Sequence, residues 1–243
     1  MTRHCEKHNL DYEEVINDIL GDISSCPMCA EEAEKQFAEK EVEERKELID
    51  AATIASYKAM GIKPIYYDAT FDNFIADTPE LKLNLEAVKE LVVKQSGTIV
   101  MTGNYGAGKT HLECAAVKEL KGKYIKMFAI SERIRASYVD TSRGTSLDIL
   151  DELASVPILA IDEMGRSKGS DWELNYLSYV FDERHASRLP TIFASNRHMV
   201  ENCPSHGCDN CLQNFFGDDM MSRICEDGKL LNFSGRDFRL EGR

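Results

Sequence analysis

Long apolar runs are missing from this 243-residue chain, and none approaches the ~18 residues that a membrane-crossing helix requires. Its first residues, Met1-Thr2-Arg3-His4-Cys5-Glu6-Lys7-His8, have no apolar core, which excludes a secretory signal. The expected location is therefore the cytoplasm, with no membrane partner, where the eight cysteines are reduced or metal-bound rather than paired as disulfides. Positive charge is also scarce: 29 Lys and Arg stand against 42 Asp and Glu, a net charge of −13. That balance argues against a protein that coats nucleic acid by charge alone. The deficit is uneven. Residues 1–96 carry 11 basic and 21 acidic side chains, and the remaining 147 carry 18 and 21. The acidic part reads as a protein-binding or solvated segment, while a local basic groove stays open for the second part.

Gly103-Asn104-Tyr105-Gly106-Ala107-Gly108-Lys109-Thr110 has the form G-x-x-x-x-G-K-T, the phosphate-cradling loop of P-loop nucleotide-binding proteins. Its context fits. Thr98 to Thr102 is an apolar, β-branched run that predicts a buried strand, and Leu112, Ala116 and Leu120 recur at helical spacing after the loop. Strand, loop and helix in that order aim backbone N–H groups and a helix N-terminus at phosphates. Lys109 would reach the β- and γ-phosphates of ATP, and the Thr110 hydroxyl would ligate Mg²⁺.

The run from Val156 to Glu163 predicts a second buried strand, ending in two acids at the ligand edge of an α/β sheet. Asp162 would hold Mg²⁺ and Glu163 would polarise the attacking water. Tyr124 to Ile130 is expected as a further strand, followed by a segment with Arg133, Arg135, Tyr138 and Arg143. Those four mix charge with a stacking ring, suited to single-stranded DNA, although exposed helix charges explain them equally. Ser170-Asp171-Trp172-Glu173 has the form of a capping box, opening a helix to about Ser187. Leu189 to Asn196 is the fourth expected strand, with a polar tip at Asn196 that either positions the water or caps the strand. The aromatics among Tyr66–Phe74 would cover an adenine ring or plug a sheet edge.

Two pairs of metal-ligand residues stand near the start: Cys5-x-x-His8 and Cys26-Pro27-Met28-Cys29, with 17 residues between them. Each two-residue gap lets a tight turn aim two ligands at one tetrahedral zinc. His4 is a possible substitute ligand. So short a segment cannot fold on its own core, so the metal would supply its folding free energy. From Ala30 to Met60 there is no proline; Glu, Lys and Ala dominate, with a sparse apolar stripe of Ala33, Phe37, Val42, Ile49 and Ala52, which predicts one long exposed helix. The Gly61-Ile62-Lys63-Pro64 stretch ends it. Residues 80–95 form the next expected helix.

The combined set resembles the AAA+ helicase-loader family, the DnaC- and DnaI-like proteins of bacteria and phages, relatives of the IstB-like transposition ATPases. The resemblance spans Cys5 to Leu240. It rests on the leading C-x-x-H and C-P-x-C pairs, Phe71-Asp72-Asn73-Phe74, the loop from Gly103 through Thr110 with His111 and Leu112, Ile161-Asp162-Glu163-Met164-Gly165, and Pro190 to Asn196. It implies an α/β fold: an AAA+ P-loop NTPase with a parallel sheet flanked by helices, preceded by a small zinc-binding module and a helical linker. It implies that Asn196 is the first sensor of the γ-phosphate and that Arg223, in Asp219-Met220-Met221-Ser222-Arg223-Ile224, is an arginine finger for a neighbouring subunit. In Gly235-Arg236-Asp237-Phe238-Arg239-Leu240 it implies a second sensor, Arg239, with Arg236 as the fallback. The chain departs from the family pattern between Asn196 and Arg223, where an insert contains Cys203-x-x-His206 and Cys208-x-x-Cys211. These four are candidates for a second zinc, with His198 or Cys225 able to replace a member; reduced loop cysteines are the alternative.

The expected organisation is a zinc-binding module over 1–29, a helical linker over 30–62 and an ATPase domain over 63–243. The expected function is an ATP-dependent loader that binds a replicative DnaB-like helicase, assembles with its own copies through ATP, and delivers the helicase onto single-stranded DNA. Two rivals are an IstB-like transposition ATPase working with a transposase, and an ATP-switched helicase-binding adaptor with little turnover. A small-molecule P-loop kinase would need a substrate pocket and a lid, and the sequence has no motif for either.

Overall fold

The computed structural model describes residues 2–13, 16–17, 21–22, 26–140, 142, 144–165, 171–199, 208, 211–235 and 237–240. It divides into two compact units, Met1–Ala55 and Ser56–Arg243.

In the first unit, β1 (Thr2–Cys5) and β2 (Leu10–Glu13) pair as an antiparallel hairpin, with Cys5 opposite Leu10. A second small pair joins β3 (Ile16–Asn17) and β4 (Gly21–Asp22). Helix α1 then runs Pro27–Ala59, and the unit boundary falls within it. It starts ahead of the expected Ala30 because Pro27 at its first position already has a helical φ and needs no hydrogen-bond acceptor there. None of its residues is buried, as its sparse apolar stripe predicts. Among the described residues of this unit only Cys26 is buried.

The second unit is built on a five-stranded sheet in the order β6-β7-β8-β5-β9. The strands are β5 (Thr98–Gly103), β6 (Lys123–Lys126), β7 (Leu159–Met164), β8 (Thr191–Ser195) and β9 (Gly228–Phe233), and every pairing is parallel. Helices α2 (Pro79–Lys94), α3 (Lys109–Leu120), α4 (Met127–Val139), α5 (Ser146–Ser155), α6 (Asp171–Ala186) and α7 (Leu212–Asp227) complete the unit. The strands alternate between two apolar layers, as a pleated strand must. Ile99, Met101, Ala160, Ile192 and Ala194 join Leu81, Val88 and Leu112 in one layer, with Met60 and Ile62. Val100, Leu159, Ile161 and Phe193 join Ile134, Leu150, Phe181 and Phe216 in the other. Burial on both faces is why these strands read as continuous apolar runs.

Three expectations need correction. Met127 to Ile130 is the first turn of α4 rather than the end of a strand: Lys126, extended, is its N-cap, and Ile130 packs inward at helical spacing with Ile134. The strand expected from Val156 starts at Leu159 and runs on through both acids to Met164. The edge strand β9 was not anticipated; its Leu231 and Phe233, two apart, face the core beside β5. Ser170 of the expected capping box lies outside the described residues. Among the described residues no helix is long and apolar enough to cross a membrane.

Buried Arg184 of α6 ties this architecture together. Its guanidinium donates to the carbonyls of Leu153, Ala154, Val156 and Pro190 at 2.7–3.1 Å and to Thr191 Oγ1 at 2.9 Å. It thereby satisfies the carbonyl end of α5, the turn before β7 and the entry to β8.

Candidate nucleotide site and metal-ligand clusters

The parallel strands deliver their C-terminal ends to one edge of the sheet, where α/β proteins bind ligands. Gly103 ends β5 with φ 117°, and a Cβ there would stand 2.4 Å from the Phe233 carbonyl oxygen. Only glycine permits that approach of β5 to β9. Gly108, the N-cap of α3, has φ 95°, and a Cβ there would stand 2.6 Å from the Phe74 ring. Between them Gly106, at φ 70°, lies against the Asp237 carboxylate.

Lys109, the first residue of α3, is buried, and its Nζ donates to the carbonyls of Gly103 at 2.8 Å and Asn104 at 2.7 Å. Burial brings its pKa down to about 8, against the opposing pull of Asp162 and Glu113. An ammonium held on two carbonyls beside a helix N-terminus fits a phosphate group. Thr110 Oγ1 donates to Asp162 Oδ2 at 2.9 Å, and Tyr124 OH donates to the same oxygen at 2.8 Å. Asp162 Oδ1 accepts from the Glu163 N–H at 2.6 Å. A hydroxyl and an oriented carboxylate form the all-oxygen donor set that Mg²⁺ takes beside phosphates. Glu163 sits at φ 58°, in the left-handed region, where the β7–β8 register shifts between Ile161 and Met164. Its Oε1 accepts from Lys126 Nζ at 2.7 Å.

A cleft of about 270 Å³, open to solvent at its mouth, lies here. Tyr66, Phe74, Tyr105 and His111 form an aromatic side; Lys109, Thr110, Asp162, Glu163, Asn196 and Arg239 form a polar one. Asn73 sets up the aromatic side: it bridges Thr70 and the Asp68 carbonyl, closing the turn that carries Phe74. Phe74 then packs on the His111 ring at 5.5 Å, and His111 Nε2 meets the Thr70 carbonyl at 2.8 Å. Tyr67 and Phe71 pack on the apolar core, and so do Tyr66 and Phe74, which line the cleft as well.

Asn196 follows β8 and is positioned by its neighbours. Ser195 Oγ donates to the Met164 carbonyl at 2.7 Å and Arg197 Nε to the Gly165 carbonyl at 2.6 Å, which fasten the ends of β7 and β8 together. Arg239 reaches the cleft because β9 carries the chain back to the loop, where Phe238 N–H donates to the Gly106 carbonyl at 3.3 Å. Arg236 lies outside the described residues. Arg223 does not line this cleft; on α7, beyond a break at Gly217, it pairs with Asp182 and with Asp219 at 3.2 Å.

The candidates for DNA contact on α4 already have partners within the chain. Arg133 pairs with Glu152 at 2.5 Å, Arg135 with Glu132 at 2.8 Å while lying over Trp172, and Tyr138 OH meets Tyr176 OH at 2.6 Å. Arg143 lies outside the described residues.

Two polar groups near the site escaped sequence reading. Tyr124 was assigned to a strand without a role. Glu113, fully buried on α3, has no hydrogen-bond partner for either carboxylate oxygen among the described residues. Burial, and then the charge of Asp162, pushes its pKa well above the usual carboxylate range.

In the first unit, Cys5, His8, Cys26 and Cys29 converge, all four donor atoms within 4.8 Å of one another. Cys5 Sγ is 3.7 Å from Cys29 Sγ, and His8 Nδ1 is 3.3–3.6 Å from all three sulfurs. The edges of a tetrahedron around zinc are about 3.8 Å between sulfurs and about 3.6 Å between sulfur and imidazole nitrogen. The donor set and its spacing fit that ion. Glu32, which the sequence did not single out, accepts from His8 Nε2 at 3.1 Å and also pairs with Lys7. A carboxylate on the far nitrogen of a ligating histidine fixes the ring and its tautomer. His4 stands apart from this group, with Nδ1 on Asp11 at 2.5 Å.

A second group lies in the insert after Asn196, where His198, Cys208 and Cys211 come together. Cys203 and His206 lie outside the described residues, and Cys225 is exposed on α7.

Residues 41–243 match the family model of IstB-like ATP binding protein. Over 154 residues the chain is 29% identical to the replicative helicase loader DnaC of Escherichia coli K12, covering 60% of this chain and 62% of that protein. The chain thus spans under two thirds of that relative's length. Among solved structures, it superposes on a DnaC helicase loader with a TM-score of 0.56 at 21% identity, over 70% of this chain and 99% of that one. It superposes on DnaI with a TM-score of 0.52 at 18% identity, over 70% and 90%. The second unit therefore has the AAA+ P-loop fold.

Proposed function

The chain belongs to the IstB-like ATP-binding protein family, and from that premise we propose that it is an ATP-dependent loader of a replicative, DnaB-like helicase onto single-stranded DNA. The carrying observation is the cleft at the sheet edge, where Lys109, Thr110, Asp162, Glu163, Asn196 and Arg239 converge. The similarity to a relative named as a replicative helicase loader supports the choice of partner.

ATP with Mg²⁺ supplies a transferable phosphoryl group whose charge must be offset as the bond breaks. Lys109 would hold the β- and γ-phosphates, and Thr110 with Asp162 the Mg²⁺. The loop residues Gly103 to Gly108 would supply backbone N–H groups, with Phe74, Tyr66 and His111 beside the base. Glu163 would polarise the attacking water, and its ion pair with Lys126 orients the carboxylate meanwhile. Asn196 and Arg239 would sense the γ-phosphate from two sides. Arg223, outside its own cleft, would serve the ATP of a neighbouring copy, so that ATP orders an oligomer and hydrolysis releases it. Residues 1–29 would form a zinc module held by Cys5, His8, Cys26 and Cys29 that grips the helicase, 30–62 a linker, and 63–243 the ATPase.

Loading assayed with Glu163→Gln tests the role of turnover. Loss of loading with ATP binding retained supports a hydrolysing loader; full loading by the variant points to an ATP-switched adaptor. One rival within the family is a transposition ATPase. Stimulation of a transposase, with no effect on helicase loading, would establish that reading instead.

A further inference from the structure

We infer that His198, Cys208 and Cys211 hold a zinc ion of their own, which clamps the segment leaving β8 to the start of α7. Cys208 Sγ is 3.2 Å from His198 Nε2 and 3.9 Å from Cys211 Sγ. A disulfide needs about 2.05 Å between sulfurs, so the cysteines are not placed for one. The separations lie close to the tetrahedral edges of about 3.6 Å and about 3.8 Å expected around zinc, and they match those of the first unit's cluster.

The backbone supports the same conclusion. Cys211 N–H donates to the Cys208 carbonyl at 2.9 Å, which holds the two cysteines together with their sulfurs as neighbours. Asn214 Nδ2 donates to that carbonyl as well, at 2.9 Å. His198 and Cys211 are bridged in parallel, and Leu212 N–H donates to the His198 carbonyl at 2.9 Å. The donors are therefore preset by their own chain segments, and Cys211 is fully buried. Two sulfurs and an imidazole suit zinc and not the hard, oxygen-seeking cations.

The position gives the ion a consequence. Asn196 stands two residues before His198, and Cys211 is the N-cap of α7, the helix that carries Arg223. A metal bond across this gap fixes the residue at the nucleotide cleft relative to the start of α7, ahead of the break at Gly217 that separates it from Arg223. This inference does not depend on the loader reading.

The test is zinc per chain, measured by mass spectrometry on the purified full-length protein and on two double variants. Two ions in the parent chain and one in Cys208→Ser/Cys211→Ser are expected, with Cys26→Ser/Cys29→Ser also retaining one. A single ion lost only with Cys208 and Cys211 would uphold this site and refute the first unit's. A single ion that Cys208→Ser/Cys211→Ser retains, or no ion at all, overturns it. Should that variant be insoluble, the parent protein decides: chelation should speed alkylation of part-exposed Cys208 at least ~10-fold while exposed Cys225 is unaffected. Unchanged rates with chelator overturn the inference.

Discussion

Residues 2–13 with the start of α1 bury one side chain, Cys26, around four converging sulfur and nitrogen donors, whereas the second unit packs two apolar layers on the faces of one sheet. Small segments without a core need a metal or disulfides, and large ones do not. The contrast also separates consequences. A ligand change in the first unit should act on that unit alone, and a polar change inside the second should act through its sheet and cleft.

The largest effect is expected from Cys26→Ser/Cys29→Ser. Structural zinc contributes on the order of 10 kcal/mol to such modules, so hydrogen exchange should find the β1–β2 amides unprotected while the thermal transition of the ATPase unit is unchanged. A melting transition that falls for both units would break the comparison. Next comes Arg184→Met, which takes a donor from four carbonyls, two of them buried and two part-buried. At ~1–3 kcal/mol for each unsatisfied group, offset by relief of a buried charge, we expect a loss of about 3–5 kcal/mol in urea unfolding of the second unit, with the hairpin amides still protected. Lys109→Ala should weaken ATP binding at least ~100-fold, about 2.7 kcal/mol, read by calorimetry, without loss of zinc.

The smallest effect concerns Glu113 and has a defined pH dependence. Its pKa is raised by folding, so its contribution is fully present below the ordinary carboxylate value and is lost as pH rises through the folded value. Glu113→Gln should therefore leave stability unchanged at pH 4 and raise it at pH 8, measured by urea unfolding without Mg²⁺. Equal pH profiles for the two proteins would show that the buried carboxylate carries no such cost.

The elements readable from the sequence are those whose neighbours in space are also neighbours in the chain. The strand, loop and helix from Thr98 to Leu120 announce themselves because phosphate binding needs glycine at fixed offsets and a lysine at the helix start. Two ligand gaps likewise announce the Cys5–Cys29 cluster. What stayed hidden depends on long-range contact. Strand β9 is an edge strand with only Leu231 and Phe233 buried, a pattern too brief to separate from a helix end. Met127 to Ile130 continues the apolar run of β6, and only packing distinguishes the turn of α4 from strand. Glu32, Tyr124 and Arg184 act on groups far along the chain, and no local spacing marks them. The sequence offers His198 only as a substitute ligand, because the backbone bridge that joins it to Cys211 is not contained in a spacing rule.

The most direct measurement is capture of a purified replicative helicase by the full-length chain, with ATP and without nucleotide, alongside Lys109→Ala. The account predicts that the chain captures the helicase, that ATP changes the amount captured, and that the variant no longer responds to ATP. Failure to capture the helicase in either state, by a chain that binds ATP and zinc, would contradict it.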